Sequence, residues 1–472
     1  MSLLPSSPLL DETLRVVARR YRLPAMDLSS FQVSDAGAAA ILAFTIEQAR
    51  RAVVRGAAAD AGLKRQFIEA LARMIREAMR EDFGDPGFQA MVLRHRTPSV
   101  REYASLSAQA DQDRRSVHTV VNAIAHPGKQ HRLAPGRQRE EMSHLHRLAS
   151  SASWSALSDA AGRLLAMPEL GDESSLKRGL TRLLESPALE RLRRLDALGT
   201  DEHVIQYQSL WGRNGPRSGS AGAIAQGSAS QQRGAAVETL ATQAIEALAR
   251  RLNDRDGAEA TYRVVTSMRV PASIPGSSDR AKSEWDVVLL RRAQTADAST
   301  EWDVCLLVEA KASVDAATTD LPRLLRGLRL LAHAEEGVVY PFKTKQGMVN
   351  LRGATLRSLS TDEAGVPEVV LYCCDAPVEV IPRMLSAASR MQLLSAPASM
   401  AFASALAQKE HVDTHDLDPV WHDLLASPRW GAVLNQYPTL QRVRELMVHT
   451  EDLLLTVDAR PEAVQGNPCD GG

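Results

Sequence analysis

Aromatic side chains are scarce in this 472-residue chain, where Phe, Trp and Tyr together make up 4% of the residues. A surface that binds nucleic acid mainly by stacking bases on aromatic rings is therefore not expected. The formal net charge of -1 excludes a chain that is basic throughout, so any anion-binding surface must be local. The hydrophobic share of 44% and the charged share of 24% are those of an ordinary globular protein.

Cysteines and long apolar runs are also few. The four cysteines are Cys305, Cys373, Cys374 and Cys469. None has C-x-x-C spacing, which argues against a zinc site or a disulfide framework and favours a reducing compartment. The longest apolar stretch, Ala36 to Ile46, is too short to cross a bilayer, and the start lacks the pattern of a signal peptide. We therefore expect a cytoplasmic protein that does not associate with membranes.

The first 205 residues are predicted to be almost wholly helical. Apolar residues recur there at a spacing of about 3.6 within stretches rich in Ala, Leu, Arg and Glu. Prolines separate these stretches. No fixed repeat period is present, so the pattern predicts a helical bundle and not a regular solenoid.

Two stretches of this half have a second interpretation that involves nucleic acid. Ser99 to Ile124 fits either two packed bundle helices or a helix-turn-helix with its turn near residues 110–112. Ala123 to Arg139 carries basic side chains around two Pro-Gly pairs and no acid. It fits either a solvated loop or a loop that contacts phosphate groups.

Composition changes at residues 206–233, which are rich in Gly, Ser, Ala and Gln and are predicted to form a flexible linker. A core domain is expected at residues 234–376, C-terminal helices at 377–457 and a frayed tail at 458–472. The predicted fold class is thus multidomain α + α/β. An all-α domain (residues 1–205) precedes an α/β core that ends in further helices.

The core elements are expected in the order helix, three strands, helix, strand. Their bounds, from apolar periodicity and β-branched content, are 234–252, 261–271, 282–292, 301–311, 318–334 and 368–374. A small hairpin is expected between the second helix and the last strand. Its tip carries Lys343 and Lys345, which fit a DNA-contacting finger or a polar turn equally well.

The third strand, Glu301 to Lys311, ends in an acid and a lysine. Side chains of a regular strand alternate between faces, so Glu309 and Lys311 are expected together on the face opposite Val304 and Leu306. We expect both charged groups to face a solvent-filled cleft. The E-x-K triplet alone is common, and a surface salt bridge would account for it.

The element order, with an acid early in the first helix, an aspartate on the second strand and E-x-K on the third, resembles the PD-(D/E)XK nuclease superfamily. This restriction-endonuclease-like resemblance covers about residues 234–376. Its carriers are Glu238, Asp286, Glu309, Ala310 and Lys311. Trp285 stands where the motif often has proline. The helix after Lys311 lacks the Gln and Tyr that mark the exonuclease branch.

The resemblance implies an αβββαβ core and a Mg²⁺-dependent nuclease in which Mn²⁺ can substitute. Its implied substrate is nucleic acid, with DNA favoured over RNA. The implied catalytic residues are Glu238, Asp286, Glu309 and Lys311. The implied metal ligands are Asp286, Glu309, the carbonyl of Ala310, and Glu238. Carboxylate and carbonyl oxygens are the hard ligands that Mg²⁺ prefers, and Lys311 would orient the attacking water and offset transition-state charge.

A protein of another class fits the same residues: a non-catalytic interaction or scaffold protein that uses a nuclease-like fold. Asp286 and Glu309 would then be ordinary strand-end charges, and Glu238 an acid favoured by the helix dipole. In either class, a second copy of the chain or another protein could bind through the helical domains. The presence of all four charged groups favours the nuclease, since a scaffold does not need them together.

Overall fold

The computed structural model describes the chain except residues 1–6, 24–36, 133, 169–174, 216–219, 258–260, 295–299, 360, 362–364, 380–381, 409–410 and 460–472. Most of the predicted tail therefore lies outside the described residues. The chain divides into two compact units. Unit 1 comprises Met1–Leu71, Ala221–Leu393 and Asp418–Gly472, and unit 2 comprises Ala72–Ser220 and Leu394–Leu417. The predicted division at residue 205 is thus not the observed one, because residues 1–71 belong to the unit that contains the sheet.

Helices predominate among the described elements. The α-helices are α1 (Pro8–Val16), α2 (Ala38–Val54), α3 (Ala61–Ala78), α4 (Pro86–Arg96), α5 (Pro98–Ala125), α6 (Pro127–Gln130), α7 (Arg137–Ser150), α8 (Trp154–Leu165), α9 (Ser175–Leu184), α10 (Pro187–Leu198), α11 (Glu202–Asn214), α12 (Ala221–Asp256), α13 (Val314–Leu331), α14 (Gly353–Ser358), α15 (Val366–Val369), α16 (Ala387–Leu394), α17 (Pro397–Ala407), α18 (Asp418–Ala426), α19 (Gly431–Leu434), α20 (Gln436–Leu446) and α21 (Thr450–Asp458). The strands are β1 (Tyr262–Arg269), β2 (Glu284–Arg292), β3 (Glu301–Ala310), β4 (Val339–Thr344), β5 (Gly347–Arg352), β6 (Val370–Cys374) and β7 (Met447–His449).

The seven described strands form one sheet in the order β2-β1-β4-β5-β3-β6-β7. Strands β1, β2 and β3 form an antiparallel meander, with Val265 opposite Val288 and Val288 opposite Leu307. The pairing of β2 with β3 also closes β2, β1, β4, β5 and β3 into a ring. β6 runs parallel to the end of β3, with Glu309 opposite Tyr372, and β7 runs parallel to β6.

The predicted core order is present as α12, β1, β2, β3, α13 and β6. The predicted hairpin is β4–β5, which together with α14 and α15 lies between α13 and β6. β7 lies in a region that was predicted to be wholly helical. Unit 1 is therefore a mixed α/β unit whose sheet is larger than the expected four strands and closes on itself through the hairpin.

A bulge in β3 changes which of its side chains share a face. The register with β2 shifts between Leu289 and Leu290, which leaves Cys305 without an opposite residue. As a result, Val304 and Leu306, which strict alternation placed on one face, lie in different hydrophobic cores. The alternation prediction is wrong here because one extra residue reverses the side-chain direction beyond it.

One of these two cores lies between the sheet and helices α13 and α20, and the other between the sheet and helices α1, α12 and α21. Leu307 belongs to the α13 core. Glu309 is two residues further along the strand, so its side chain points toward α13 as well. The bulge therefore decides which helix covers the acid of the E-x-K triplet.

The predicted flexible linker is largely helical. α11 ends at Asn214, and α12 continues without a break from the predicted linker into the predicted core. Ala and Gln have high helix propensity, and a packed helix propagates into such a stretch at little cost. The first buried side chain of α12 is Val237, so the part of α12 that precedes Val237 lengthens the helix but contributes no residue to the hydrophobic core.

Unit 2 is helical, with turns and bends but no strand among its described residues. α5 is unbroken from Pro98 to Ala125, so the turn required by a helix-turn-helix near residues 110–112 is absent. α5 instead packs in a core with α7, α8, α9 and α10. The basic stretch around Lys129 includes the short helix α6, and Lys129 Nζ donates to the carbonyl of Ala123. No described helix in either unit is long and apolar enough to cross a bilayer.

Candidate active site

Three of the four predicted catalytic side chains meet at the end of β3. Lys311 Nζ lies 2.8 Å from Glu309 Oε2 and 3.6 Å from Asp286 Oδ2. The antiparallel pairing of β2 with β3 places the two acids on neighbouring strands. The N–H of Ala310 donates to Asp286 Oδ2 at 3.0 Å, which ties the end of β3 to β2. Both acids therefore lie within reach of one ammonium group.

Two charged side chains that were not among the predicted site residues complete this arrangement. Lys282, just before β2, has its Nζ 2.6 Å from Glu309 Oε2, and its side chain is only 6% exposed. Asp320 of α13 has its Oδ2 3.6 Å from Lys311 Nζ and 3.8 Å from Lys282 Nζ. We call these five side chains, Lys282, Asp286, Glu309, Lys311 and Asp320, the charge cluster.

Helix α13 approaches the charge cluster closely. The N–H of Lys282 donates to the carbonyl of Arg323 at 3.1 Å. A Cβ atom on Gly327 would lie 2.8 Å from Lys282 Cβ and 3.2 Å from its carbonyl oxygen, so glycine permits this approach. The hydroxyl of Tyr372, on β6, donates to Asp320 Oδ2 at 3.3 Å. These contacts hold Lys282 and Asp320 over the end of the sheet.

A signal for Asp320 is present in the sequence. Ala317, Leu321 and Leu324 of α13 are buried, so Asp320 lies within the apolar stripe of that helix. An acid at such a position requires buried partners. Lys282 also had a signal, because it begins the strand predicted over residues 282–292, where alternation places it on the same face as Asp286.

Burial controls the charge of the two central groups. Glu309 has no exposed side-chain area. This burial, reinforced by the Asp286 carboxylate, raises the pKa of Glu309 to about 8, although Lys282 and Lys311 oppose the rise. Burial lowers the pKa of Lys311, but the surrounding carboxylates, Glu309 foremost, outweigh it and raise that pKa above its ordinary value. The expectation that Glu309 faces solvent is therefore wrong, and Asp286, 27% exposed, is the most accessible member.

The fourth predicted residue, Glu238, lies outside the charge cluster. Its Oε1 accepts a hydrogen bond at 2.9 Å from Lys345 Nζ, at the tip of the β4–β5 hairpin. Within the described part of the chain, no ion pair or hydrogen bond joins its carboxylate to Asp286, Glu309 or Lys311. The structure thus brings three of the four predicted residues together and pairs the fourth elsewhere.

The hairpin tip is held against β1. Gln346 Oε1 accepts from the N–H of Thr266 at 2.9 Å, and Gln346 Nε2 donates to Thr266 Oγ1 at 3.0 Å. The N–H of Lys345 donates to the carbonyl of Thr266 at 3.0 Å. Of the two interpretations of this tip, the structure therefore favours the polar turn over a free finger.

The carboxylate oxygens of the charge cluster are of the type that binds divalent cations. Glu309 Oε1 is buried without a hydrogen-bond partner, and Asp286 and Asp320 add further hard oxygens. No group of three or more His, Cys, Asp or Glu in the described residues forms a ready metal site. The distances give the reason, because the three carboxylates surround Lys311 Nζ. A bound cation would require this ammonium to move.

Comparison with known proteins identifies no relative: no family model matches the chain, and neither a curated protein nor a solved structure gives a significant match. The resemblance to PD-(D/E)XK nucleases therefore stays a prediction from the residues.

Proposed function

We propose that this protein is a metal-dependent nuclease whose active site is the charge cluster. In this proposal α12, β1, β2, β3, α13 and β6 form a PD-(D/E)XK-like core. The supporting observation is the placement of Asp286 and Glu309 oxygens within 3.6 Å of the same Lys311 nitrogen. Burying charged groups costs several kcal/mol per ion before pairing, so unrelated strand-end charges would be expected in solvent.

Asp286 and Glu309 would hold a Mg²⁺ ion, for which Mn²⁺ can substitute, with the carbonyl of Ala310 as a further oxygen ligand. When bound, the ion would offset negative charge on the phosphate and lower the pKa of water. Glu309 has to release its proton to act as a ligand, because burial raises its pKa to about 8. Glu238 receives no direct role here, because Lys345 pairs with its carboxylate.

Lys311 would act as a positive charge and not as a proton acceptor. The carboxylates around it raise its pKa above the ordinary value, so Nζ stays protonated at neutral pH. A protonated Nζ can donate hydrogen bonds to a phosphoryl oxygen and stabilise the charge that develops there during cleavage. Asp286, the most exposed acid of the charge cluster, would face the incoming substrate.

The test is a cleavage assay on linear, circular, single-stranded and branched DNA and on RNA, in Mg²⁺ and in Mn²⁺. We expect at least one DNA substrate to be cut. Lys311→Ala and Asp286→Asn should each slow cleavage by about 100-fold or more. The matched control is Lys345→Ala, which removes an exposed lysine from a similar ion pair and should cut like wild type. No cleavage of any substrate, or equal cleavage by Lys311→Ala, contradicts the proposal.

The scaffold alternative has one observation in its favour. Glu309 Oε2 is already contacted by two ammonium groups, Lys282 at 2.6 Å and Lys311 at 2.8 Å, as in an ion-pair network that only stabilises a fold. If the protein is a scaffold, it cuts nothing, and the wild-type protein and the Asp286→Asn variant bind Mn²⁺ equally weakly. Isothermal titration of Mn²⁺ into both proteins therefore separates the two functions. Light scattering of the same samples tests whether a homodimer forms.

A further inference from the structure

The balance of charge in the cluster depends on Asp320. Asp286 and Glu309, when ionised, are matched by the ammonium groups of Lys282 and Lys311. Those four groups alone would be neutral and would offer a divalent cation no net attraction. Asp320 is the remaining charged member, and its carboxylate makes the fully ionised cluster negative.

The position of Asp320 fits a working part of the site. Its side chain is 12% exposed, and its Oδ2 lies within 4 Å of both ammonium groups, 3.6 Å from Lys311 Nζ and 3.8 Å from Lys282 Nζ. The Tyr372 hydroxyl donates to this same oxygen at 3.3 Å. Both lysines lie closer to Glu309 Oε2 than to Asp320. Asp320 is therefore a second carboxylate partner for each lysine.

We infer that Asp320 is a positioning residue of the site, an inference that depends on the proposed nuclease function. Its carboxylate keeps the ammonium of Lys311 within the site when a divalent cation takes the oxygens of Glu309 and Asp286. It also supplies the negative charge that lets such a cation compete with Lys282 and Lys311. Helix α13 thereby contributes a carboxylate to a site otherwise built from the ends of β2 and β3.

The first measurement is metal binding without any substrate. Trp285 is buried beside the site, with its ring centre 5.8 Å from Lys282 Nζ, so it should sensitise the luminescence of bound Tb³⁺. Asp320→Asn keeps the side-chain shape and removes the charge. We expect it to weaken Tb³⁺ and Mn²⁺ binding by about 10- to 100-fold, as loss of an outer partner of metal ligands does. Trp285→Phe identifies the luminescence that comes from this site.

The matched control is Asp315→Asn, on the same helix. Asp315 is 46% exposed and pairs at 3.6 Å with Arg383, which is itself 70% exposed. Its loss should leave metal binding and cleavage unchanged. In the cleavage assay, Asp320→Asn should lower kcat and raise the Mn²⁺ concentration for half-maximal rate, while KM for DNA stays near the wild-type value. Asp320→Glu, which keeps the charge, should recover most of the metal affinity.

The outcomes separate the two proposals. If wild type cuts DNA and Asp320→Asn matches Asp315→Asn in metal affinity and rate, the role of Asp320 is overturned and the nuclease function stands. If wild type cuts nothing, the nuclease function fails, and the role of Asp320 fails with it. Should Asp320→Asn not fold, Asp320→Ser, which also removes the charge, replaces it. Wild-type metal affinity in Asp320→Ser would then contradict the inference.

Discussion

Two glutamate–lysine pairs of almost equal length lie in different surroundings in unit 1. At the end of β3, Glu309 and Lys311 are 2.8 Å apart, with side chains 0% and 16% exposed. At the hairpin tip, Glu238 and Lys345 are 2.9 Å apart, with side chains 30% and 61% exposed. Distance alone therefore does not distinguish a candidate site from a surface contact. Burial does, because it determines how strongly each charge depends on its partner.

The difference extends to the neighbours. Glu309 is shared by two lysines, and Lys311 by three carboxylates, so each charge in the buried pair belongs to a network. The pair at the hairpin has the simpler arrangement of one acid and one lysine. Burial, reinforced by the Asp286 carboxylate, raises the pKa of Glu309 to about 8 against the opposing effect of the two lysines, so its proton can be exchanged near neutral pH. Perturbed groups of this kind cluster at functional sites.

The largest expected effect separates the two pairs by stability. Glu309→Ala should lower the free energy of unfolding by about 3 kcal/mol or more, because it empties a fully buried position and removes the oxygen that Lys282 and Lys311 contact. Glu238→Ala should change it by less than about 1 kcal/mol, since an exposed pair contributes little. Urea unfolding of both variants against wild type measures the difference. Equal losses would mean that burial does not distinguish the pairs.

A pH series should show the next effect. The pKa of Glu309 is 4.5 in an unfolded chain and about 8 in the fold. Between these values the folded state holds a proton that the unfolded state has released. The contribution of Glu309 to stability is therefore fully present below about pH 4.5 and is lost as the pH rises to about 8.

Glu309→Gln removes this titration, because an amide does not ionise in this range. The stability of wild type relative to Glu309→Gln should thus fall between about pH 5 and about pH 8.5. Glu238→Gln, at the exposed pair, should keep the wild-type pH dependence. Urea midpoints at several pH values test this, and parallel curves for wild type and Glu309→Gln would refute the raised pKa.

A third pair of variants compares a glycine beside Lys282 of the charge cluster with a glycine near Glu238. Gly327→Ala places a Cβ 2.8 Å from Lys282 Cβ. We expect a loss of about 1–3 kcal/mol from overpacking, and reduced metal binding as Lys282 shifts. Gly234→Ala, four residues before Glu238, has nothing within 4 Å of its Cβ and lies in a helix. This substitution should raise the free energy of unfolding by up to about 1 kcal/mol. Thermal unfolding of both variants measures these changes in stability. A Gly327→Ala variant that is more stable than wild type would contradict the close approach of α13 to Lys282.

The core order of helix, three strands, helix and strand was predictable because apolar residues recur along each element with the spacing typical of that element. The closing of the sheet was not, since the β1–β4 pairing involves a single residue pair, Arg269 with Lys343. The flexible linker predicted at residues 206–233 was wrong, because a Gly- and Ser-containing sequence becomes helical when it continues a packed helix such as α12.

The candidate site was predictable to the extent that it lies on strands. Asp286, Glu309 and Lys311 follow from the strand order, since neighbouring strand ends meet in space. The burial of Glu309 did not follow, because it depends on the bulge at Cys305 and on the cover of α13. Lys282 and Asp320 come from a loop and a helix, whose approach to the strand ends depends on tertiary packing.

The smallest expected effect is the coupling between Glu238 and Lys345. A double-mutant cycle with alanine at both positions should give about 0.2–1 kcal/mol in dilute buffer. Salt at about 1 M shortens the screening length to about 3 Å, so the coupling of this exposed pair should then nearly vanish. The same cycle on Glu309 and Lys311 should give a larger coupling that changes little with salt, because solvent ions do not reach a buried pair. Urea unfolding of the four proteins in each cycle, at low and high NaCl, measures both couplings. If the hairpin pair proves as strongly coupled and as insensitive to salt as the buried one, the two regions are not different in kind.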